Sequence, residues 1–103
     1  MTKTDYRGTF TIYPITLSNG EKSLYIEEII SEEKGMGYGS SMLQEILDYA
    51  EERGLSVCLH ANANYFDEEG LDQEQLEEWY IRYGFEPVYY LDSNNGTNFF
   101  YKN

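Results

Sequence analysis

The feature that most constrains the fold is an amphipathic segment enclosed by two strand-type segments. Residues 23–30 (SLYIEEII) and 55–61 (LSVCLHA) are rich in β-branched and other apolar residues, which favours strands. Between them, apolar residues recur at helical spacing at Met42, Leu43, Ile46, Leu47 and Ala50. A strand–helix–strand unit sets its two strands parallel through a right-handed crossover. The sequence therefore predicts a parallel pair covered by a helix that ends at Gly54.

The N-terminal part predicts a hairpin that leads into the first of these strands. Residues 9–17 (TFTIYPITL) are β-branched and aromatic, and Pro14 within them indicates an edge position or a bulge. Ser18-Asn19-Gly20 carries the Asn-Gly hairpin signal before the strand at 23–30. Two antiparallel strands are expected here.

The C-terminal part predicts a second helix and two more strands. The helix runs from Asp72 to Tyr83, and Asp72 with Gln75 fits an N-terminal capping box. Aromatic strands at 86–91 and 97–102 enclose another Asn-Gly turn. We therefore expect residues 1–103 to form a single α/β domain with a mixed, α+β-like sheet in the order β-β-α-β-α-β-β.

Charge limits the classes of partner. The net charge is −12, from 19 acidic and 7 basic residues, which argues against direct nucleic-acid binding and against docking on an anionic membrane. It favours basic partners such as amines and lysine-bearing proteins, although a merely solubilising surface is the simpler interpretation. Cys58 is the single cysteine, and neither a signal peptide nor a membrane span is recognisable. We expect a cytoplasmic protein, in the host cytoplasm if it is phage-encoded.

A glycine-rich turn precedes the first helix. Gly35, Gly37 and Gly39 alternate there, which lets backbone N–H groups approach an anion at the helix N-terminus. Lys34 adds one positive charge at the rim. The alternative is a flexible turn with a helix cap. Ser40 follows Gly39 where a P-loop requires lysine, and the same serine stands where a dinucleotide fingerprint requires its third glycine.

Two segments together resemble the GNAT family of N-acetyltransferases. Lys34-Gly35-Met36-Gly37-Tyr38-Gly39 resembles its Arg/Gln-x-x-Gly-x-Gly/Ala signature, with Lys34 as a departure. The segment from Leu76 to Phe85 resembles the ending of the family domain, an aromatic residue followed by Tyr-x-x-x-Gly-Phe, and the match spans residues 24–90. The resemblance implies a truncated GNAT fold, similar to small phage-encoded and anti-CRISPR acetyltransferases.

The resemblance also implies acetyl transfer from acetyl-CoA to an amine, on a protein lysine or another acceptor, without a metal. Acetyl-CoA would be held by the turn, by the backbone at Ile29 or Ile30, and by Gln73. The turn residues concerned are Lys34, Gly35, Met36, Gly37, Tyr38, Gly39 and Ser40. The backbone N–H at Ile29 or Ile30 would also stabilise the oxyanion.

The resemblance gives Tyr80 the role of the acid that protonates the departing thiolate. The structural alternative is a core residue on the helix face shared with Leu76 and Trp79. For the base, strand alternation places Glu28 among the apolar neighbours Leu24, Ile26 and Ile30, where burial would raise its pKa. A bulge in this strand would swap the faces and favour Glu27, and a water relay would need neither.

Several alternatives stay open. His60 could act as a base but is more simply a hydrogen-bonded strand residue, and Cys58 is interpreted as a small buried hydrophobe. The acidic residues Asp67-Glu68-Glu69 and Glu74, Glu77 and Glu78 form a solvated face, or attract a basic acceptor. The alternative functions are a catalytically degenerate acidic binding or inhibitor protein, and a homodimer formed through the strands within 88–101.

Overall fold

One mixed β-sheet organises the protein. The computed structural model describes residues 1–33, 35–61, 72–88 and 97–102. Within these ranges the strands are β1 (Thr2–Asp5), β2 (Gly8–Thr16), β3 (Lys22–Ser31), β4 (Ser56–Ala61), β5 (Glu86–Val88) and β6 (Thr97–Tyr101), and the helices are α1 (Tyr38–Glu52) and α2 (Gln73–Arg82). The strand order is β1-β2-β3-β4-β6-β5, with only the β3–β4 pair parallel among the described strands. The predicted parallel pair with its α1 crossover, and the mixed α/β class, are confirmed.

Both helices bury their apolar faces in a single core. The predicted stripe of α1 is fully buried, and Gly54 after the helix has the left-handed φ of 65° expected of a C-terminal cap. In α2, the Gln75 N–H donates to Asp72 Oδ1 at 2.8 Å, and the Asp72 N–H donates to Gln75 Oε1 at 3.1 Å. The predicted capping box is therefore confirmed. Leu76, Trp79 and Tyr80 join the α1 stripe in the same core cluster.

The first strand, β1, is not among the predicted elements. Its four residues are polar and exposed or half-buried, so they carry no alternating apolar pattern. Pairing with β2 defines it instead, and hydroxyl pairs join Thr2 to Thr11 and Thr4 to Thr9, each at 3.0 Å. The observed order is therefore β-β-β-α-β-α-β-β. Pro14 lies beyond the part of β2 that pairs with β1, which agrees with the predicted edge position.

A β-bulge at Glu27 changes the faces of β3. Thr11 pairs with Glu28 and Ile12 pairs with Ile26, so Glu27 is the extra residue. Beyond the bulge, Ile29 is fully buried, whereas Ile30 is 37% exposed. The predicted alternation was therefore wrong for Glu28, which does not share the face of Leu24 and Ile26. The bulge that the alternative allowed for is present, but Glu27 is exposed rather than placed among apolar side chains.

Some predictions fall outside the described residues. These are Lys34, the acidic residues Asp67-Glu68-Glu69, the turn at 93–96 and the second half of the strand predicted at 86–91. In the part of the chain that is described, no helix is long and apolar enough to cross a membrane.

Candidate functional site

The glycine-rich turn has a backbone that only glycine adopts readily. Gly35 and Gly37 have φ angles of 81° and 74°, in the left-handed region. A side chain there would cost on the order of 1–2 kcal/mol in strain. A Cβ built on either glycine would meet no atom within 4 Å, so the space beside the turn is open. The turn can therefore receive a ligand close to its backbone.

The first turn of α1 follows directly and has no side-chain cap. Gly37 is the N-cap residue and supplies no capping oxygen, and no acidic side chain lies in the first turn. The first helical bond runs from the Ser41 N–H to the Gly37 carbonyl oxygen, at 3.0 Å. The amides of Tyr38, Gly39 and Ser40 precede this bond, and the partial positive charge of a helix N-terminus is concentrated there. Such a helix start binds anions.

A buried hydroxyl lies against this turn. Ser31, the last residue of β3, is only 6% exposed, and its Oγ has no hydrogen-bond partner within the described chain. That oxygen lies 3.3 Å from the position a Cβ on Gly39 would take. An unsatisfied buried hydroxyl costs on the order of 1–3 kcal/mol. A polar ligand group at the start of α1 would relieve this cost.

The parallel strands β3 and β4 separate beside the turn. Their pairing covers only Ser23–Ile26 with Ser56–Leu59, whereas β3 continues to Ser31. Over residues 27–31, no described strand pairs with the β4 side of β3. This stretch contains Ile29 and Ile30. An open strand edge offers backbone N–H and C=O groups that an extended amide chain can pair with.

The two candidate bases, Glu27 and Glu28, lie where β3 and β4 separate, on the sheet face opposite Ile29. The Thr11 hydroxyl donates to Glu28 Oε1 at 3.2 Å, and Glu28 is half-buried. Glu27 is exposed at the bulge. Both carboxylates therefore lie beside the open edge, but Glu28 has a threonine beside it rather than the predicted apolar neighbours.

The candidate residues of α2 occupy different environments. Gln73, the first residue of the helix, donates through Nε2 to the Ala61 carbonyl oxygen at 3.1 Å and to Glu77 Oε2 at 2.7 Å. It therefore lies at the end of β4. Tyr80 is fully buried, with its ring 5.4 Å from that of Phe85 and 5.7 Å from that of Phe99. The acid role of Tyr80 stays a prediction, and its core packing is part of the structure.

His60 and Cys58 lie on β4 and have hydrogen-bond partners on the two neighbouring strands, β6 and β3. His60 Nδ1 lies 2.7 Å from Asn98 Oδ1, in agreement with the simpler interpretation of this histidine. The Cys58 thiol donates to the Leu24 carbonyl oxygen and accepts from the Ser23 hydroxyl, and burial raises its pKa. Within the described ranges, no group of three or more His, Cys, Asp or Glu side chains could hold a metal ion.

A buried arginine joins the β1–β2 turn to the start of α1. Arg7 is 7% exposed and donates to Asp5, to Glu45 Oε1 at 2.7 Å and to the Ser41 hydroxyl at 3.0 Å. The Arg7 carbonyl oxygen also accepts from the N–H of Glu32 at 2.8 Å. The first turn of α1 is thus held to both the N-terminal hairpin and the end of β3.

This cluster predicts a loss of stability in acid. Hydrogen bonds from Arg7 lower the pKa of Asp5 to about 2, below its ordinary value of about 3.9. The folded state therefore binds this proton less tightly than the unfolded state. The stabilisation is complete above about pH 4 and is lost as the pH falls towards 2.

Melting temperatures between pH 7 and pH 2.5 test this prediction. We expect Asp5→Asn to lower the melting temperature at pH 7 and to flatten its decline with acid. Glu51→Gln, at an exposed position of α1, is the control and should keep the wild-type decline. Parallel curves for Asp5→Asn and the wild type would contradict the assigned role of Asp5.

Sequence reasoning missed three residues at this site: Arg7, Thr11 and Ser31. Ser31 had a weak signal, because it is a serine that follows the apolar pair Ile29-Ile30 and stands four residues before Gly35. Arg7 lies in the turn between β1 and β2 and Thr11 lies in β2, and both reach the site only through sheet pairing, which no local pattern encodes.

Comparisons with known proteins support the fold. No family model matches the chain, and no curated protein matches it. The chain is similar to the crystal structure of the anti-CRISPR protein AcrVA5, with a TM-score of 0.71 and 24% sequence identity over 99% of this chain and 97% of that chain. At this identity the similarity shows a shared fold alone.

The assignment to the GNAT family is therefore wrong as a statement of family. Two short motifs, around Gly37 and Tyr80, carried it, and no family model supports it. What the comparison supports is a fold shared with an anti-CRISPR protein. Short motifs also occur on unrelated chains, and the left-handed φ angles of Gly35 and Gly37 explain these two glycines without any family relationship.

Proposed function

We propose that this protein binds acetyl-CoA and transfers its acetyl group to an amine, on a lysine or another amine of a protein. The observation that carries the proposal is the meeting of an uncapped helix start and an open strand edge at one end of the sheet. One feature suits phosphates and the other suits an amide-containing chain, and acetyl-CoA contains both.

The anion-binding features support this choice of ligand. An acidic protein repels a polyanion, so binding needs local hydrogen-bond donors that act against the negative electrostatic field of the whole protein. The amides at Tyr38, Gly39 and Ser40 provide these donors, with open space beside Gly35 and Gly37. The Ser31 hydroxyl adds a polar group without a partner in the described chain. These residues fit a pyrophosphate without a single basic side chain.

The proposed chemistry is direct transfer. The amine nitrogen attacks the thioester carbonyl carbon, the C–S bond breaks, and CoA leaves as a thiolate that takes up a proton. The amine loses one proton overall as the amide forms. Glu28 or Glu27 would accept it, directly or through water, and Tyr80 would donate the proton to the thiolate. A backbone N–H at Ile29 or Ile30 would stabilise the oxyanion.

Thermal unfolding with acetyl-CoA tests the proposal. A ligand at 100 times its Kd stabilises the folded state by about 2.7 kcal/mol, which is a rise of about 10 °C or more in melting temperature for a domain of this size. Acetate at the same ionic strength is the control and should give no rise. A second measurement follows acetyl transfer to a lysine-rich peptide. An unchanged melting temperature at millimolar acetyl-CoA would reject the proposal.

A second candidate function is an acidic protein-binding inhibitor without catalysis. It is favoured by the net charge of −12 and by the similarity to a protein named as an anti-CRISPR, which indicates a protein partner. A rise in melting temperature with acetyl-CoA, followed by acetylation of the peptide, would favour the enzyme. Binding of a basic protein without either effect would favour the inhibitor.

A further inference from the structure

An exposed aromatic pair stands beside the first turn of α1. Tyr6, in the turn between β1 and β2, is 76% exposed, more than any other large hydrophobic residue of the described chain. Its ring meets that of Tyr38, the first residue of α1, at a centroid distance of 5.7 Å and an interplanar angle of 89°. An edge-to-face pair occupies at most one face of one ring, so a face of Tyr6 is open to a planar ligand.

Tyr6 is held in this place by its neighbour in sequence. The Arg7 carbonyl oxygen accepts from the Glu32 N–H, and Arg7 Nη1 donates to the Ser41 hydroxyl. Both bonds fasten the β1–β2 turn to the end of β3 and to the start of α1. The ring is therefore placed beside the helix start by a buried anchor, although it buries little of its own surface.

We propose that Tyr6 and Tyr38 form a stacking subsite for the adenine base of a nucleotide whose phosphate groups bind at the first turn of α1. This inference rests on the proposed function and concerns the adenine base, which the turn itself does not bind. An aromatic ring beside an anion-binding helix start matches the two parts of a nucleotide, since a base has a π-face and its phosphates need N–H donors.

Two observations besides the helix start support a ligand here. The buried Ser31 hydroxyl, without a partner in the described residues, lies against Gly39 in the same turn. The neighbouring Glu32 and Glu33 are exposed and acidic, so stacking on an uncharged ring is a means of recognition that the local charge does not weaken. Amides for the phosphates and a ring for the base together form an uncharged nucleotide site.

The test compares two thioesters that differ in the adenosine part. Acetyl-CoA and S-acetyl-4′-phosphopantetheine share the thioester, the amide arm and a phosphate, and only acetyl-CoA contains the base. Trp79 is the single tryptophan, and its Nε1–H donates to the Ser40 hydroxyl at 3.3 Å, so its fluorescence reports on ligand at the first turn. Titration of both ligands into the wild type and the variants gives their Kd values.

We expect Tyr6→Ala to weaken acetyl-CoA binding about tenfold, within the range measured for base–aromatic stacking, and to leave the affinity for S-acetyl-4′-phosphopantetheine within twofold. Tyr6→Phe keeps the ring and should bind both ligands as the wild type does. Tyr13→Ala removes a tyrosine that packs against Tyr25 on the open sheet face, and should also leave both affinities unchanged.

The outcomes separate this inference from the proposed function. If the wild type binds both thioesters equally well, or if Tyr6→Ala weakens both equally or neither, the adenine subsite is wrong while acetyl-CoA binding stands. If the wild type binds neither thioester, both proposals are overturned. Circular dichroism spectra of Tyr6→Ala that match the wild type show that a loss of affinity reflects the missing ring rather than unfolding.

Discussion

Replacing Gly37 with glutamate is expected to abolish acetyl-CoA binding, with a loss of affinity of more than about 100-fold. Gly37 is the N-cap residue of α1, and a side chain there enters the open space beside the amides of the first turn. A carboxylate at that point occupies the anion site and repels the phosphates. Juxtaposed like charges cost several kcal/mol, and each 1.4 kcal/mol is a factor of about ten in Kd.

The chain provides a matched control for this substitution in Gly20. Gly20 has a φ of 85°, close to the 74° of Gly37, and a Cβ on it also meets nothing within 4 Å. Gly20→Glu therefore introduces the same charge and a similar strain of about 1–2 kcal/mol, but in the β2–β3 hairpin. Isothermal titration calorimetry with acetyl-CoA should show normal binding to Gly20→Glu and none to Gly37→Glu. Equal affinities for the two variants would show that the turn does not hold the phosphates.

The second large effect is expected from Tyr80→Phe. If Tyr80 protonates the departing thiolate, loss of its hydroxyl should lower kcat by about 10²- to 10⁴-fold, the usual contribution of a general acid, while the Kd for acetyl-CoA stays within twofold. Phenylalanine retains the ring that packs against Phe85 and Phe99, so the core stays filled. The measurement is the initial rate of acetyl transfer at saturating acetyl-CoA.

Tyr83→Phe is the control for this prediction. Tyr83 lies three residues after Tyr80, directly after α2, and its ring is 5.3 Å from that of Trp79. Tyr83→Phe removes the same hydroxyl group as Tyr80→Phe, but from a different position. We expect it to retain near wild-type kcat. If Tyr80→Phe also retains kcat, the residue acts only in the core, as its complete burial permits.

The two substitutions examine separate steps of one proposal. Gly37→Glu concerns binding at the start of α1, whereas Tyr80→Phe concerns chemistry after binding. Trp79 connects the two regions physically, because its indole N–H reaches Ser40 and its ring lies 4.9 Å from that of Tyr80. If Gly37→Glu binds acetyl-CoA normally, the phosphates bind away from the turn, and if only Tyr80→Phe keeps its rate, another group donates the proton.

The elements that could be read from the sequence are those whose signals lie within a few residues. The α1 stripe, the capping box of Asp72 and Gln75, and the left-handed glycine at 54 depend on helical periodicity and local hydrogen bonds. The parallel pair around α1 followed from the handedness of strand–helix–strand connections. The glycine-rich turn was likewise visible, because its backbone conformation demands glycine at 35 and 37.

The composition of the site was decided only by tertiary structure. The bulge at Glu27 turns Glu28 away from the core, because the pairing of β3 with β2, and not alternation along β3, sets the faces. Tyr6 comes beside Tyr38, more than thirty residues later in the chain, only through β1–β2 pairing and the Arg7 anchor. Local sequence thus determined which elements form and where the turn lies, whereas long-range pairing determined which side chains meet there, because such contacts leave no periodic trace in the chain.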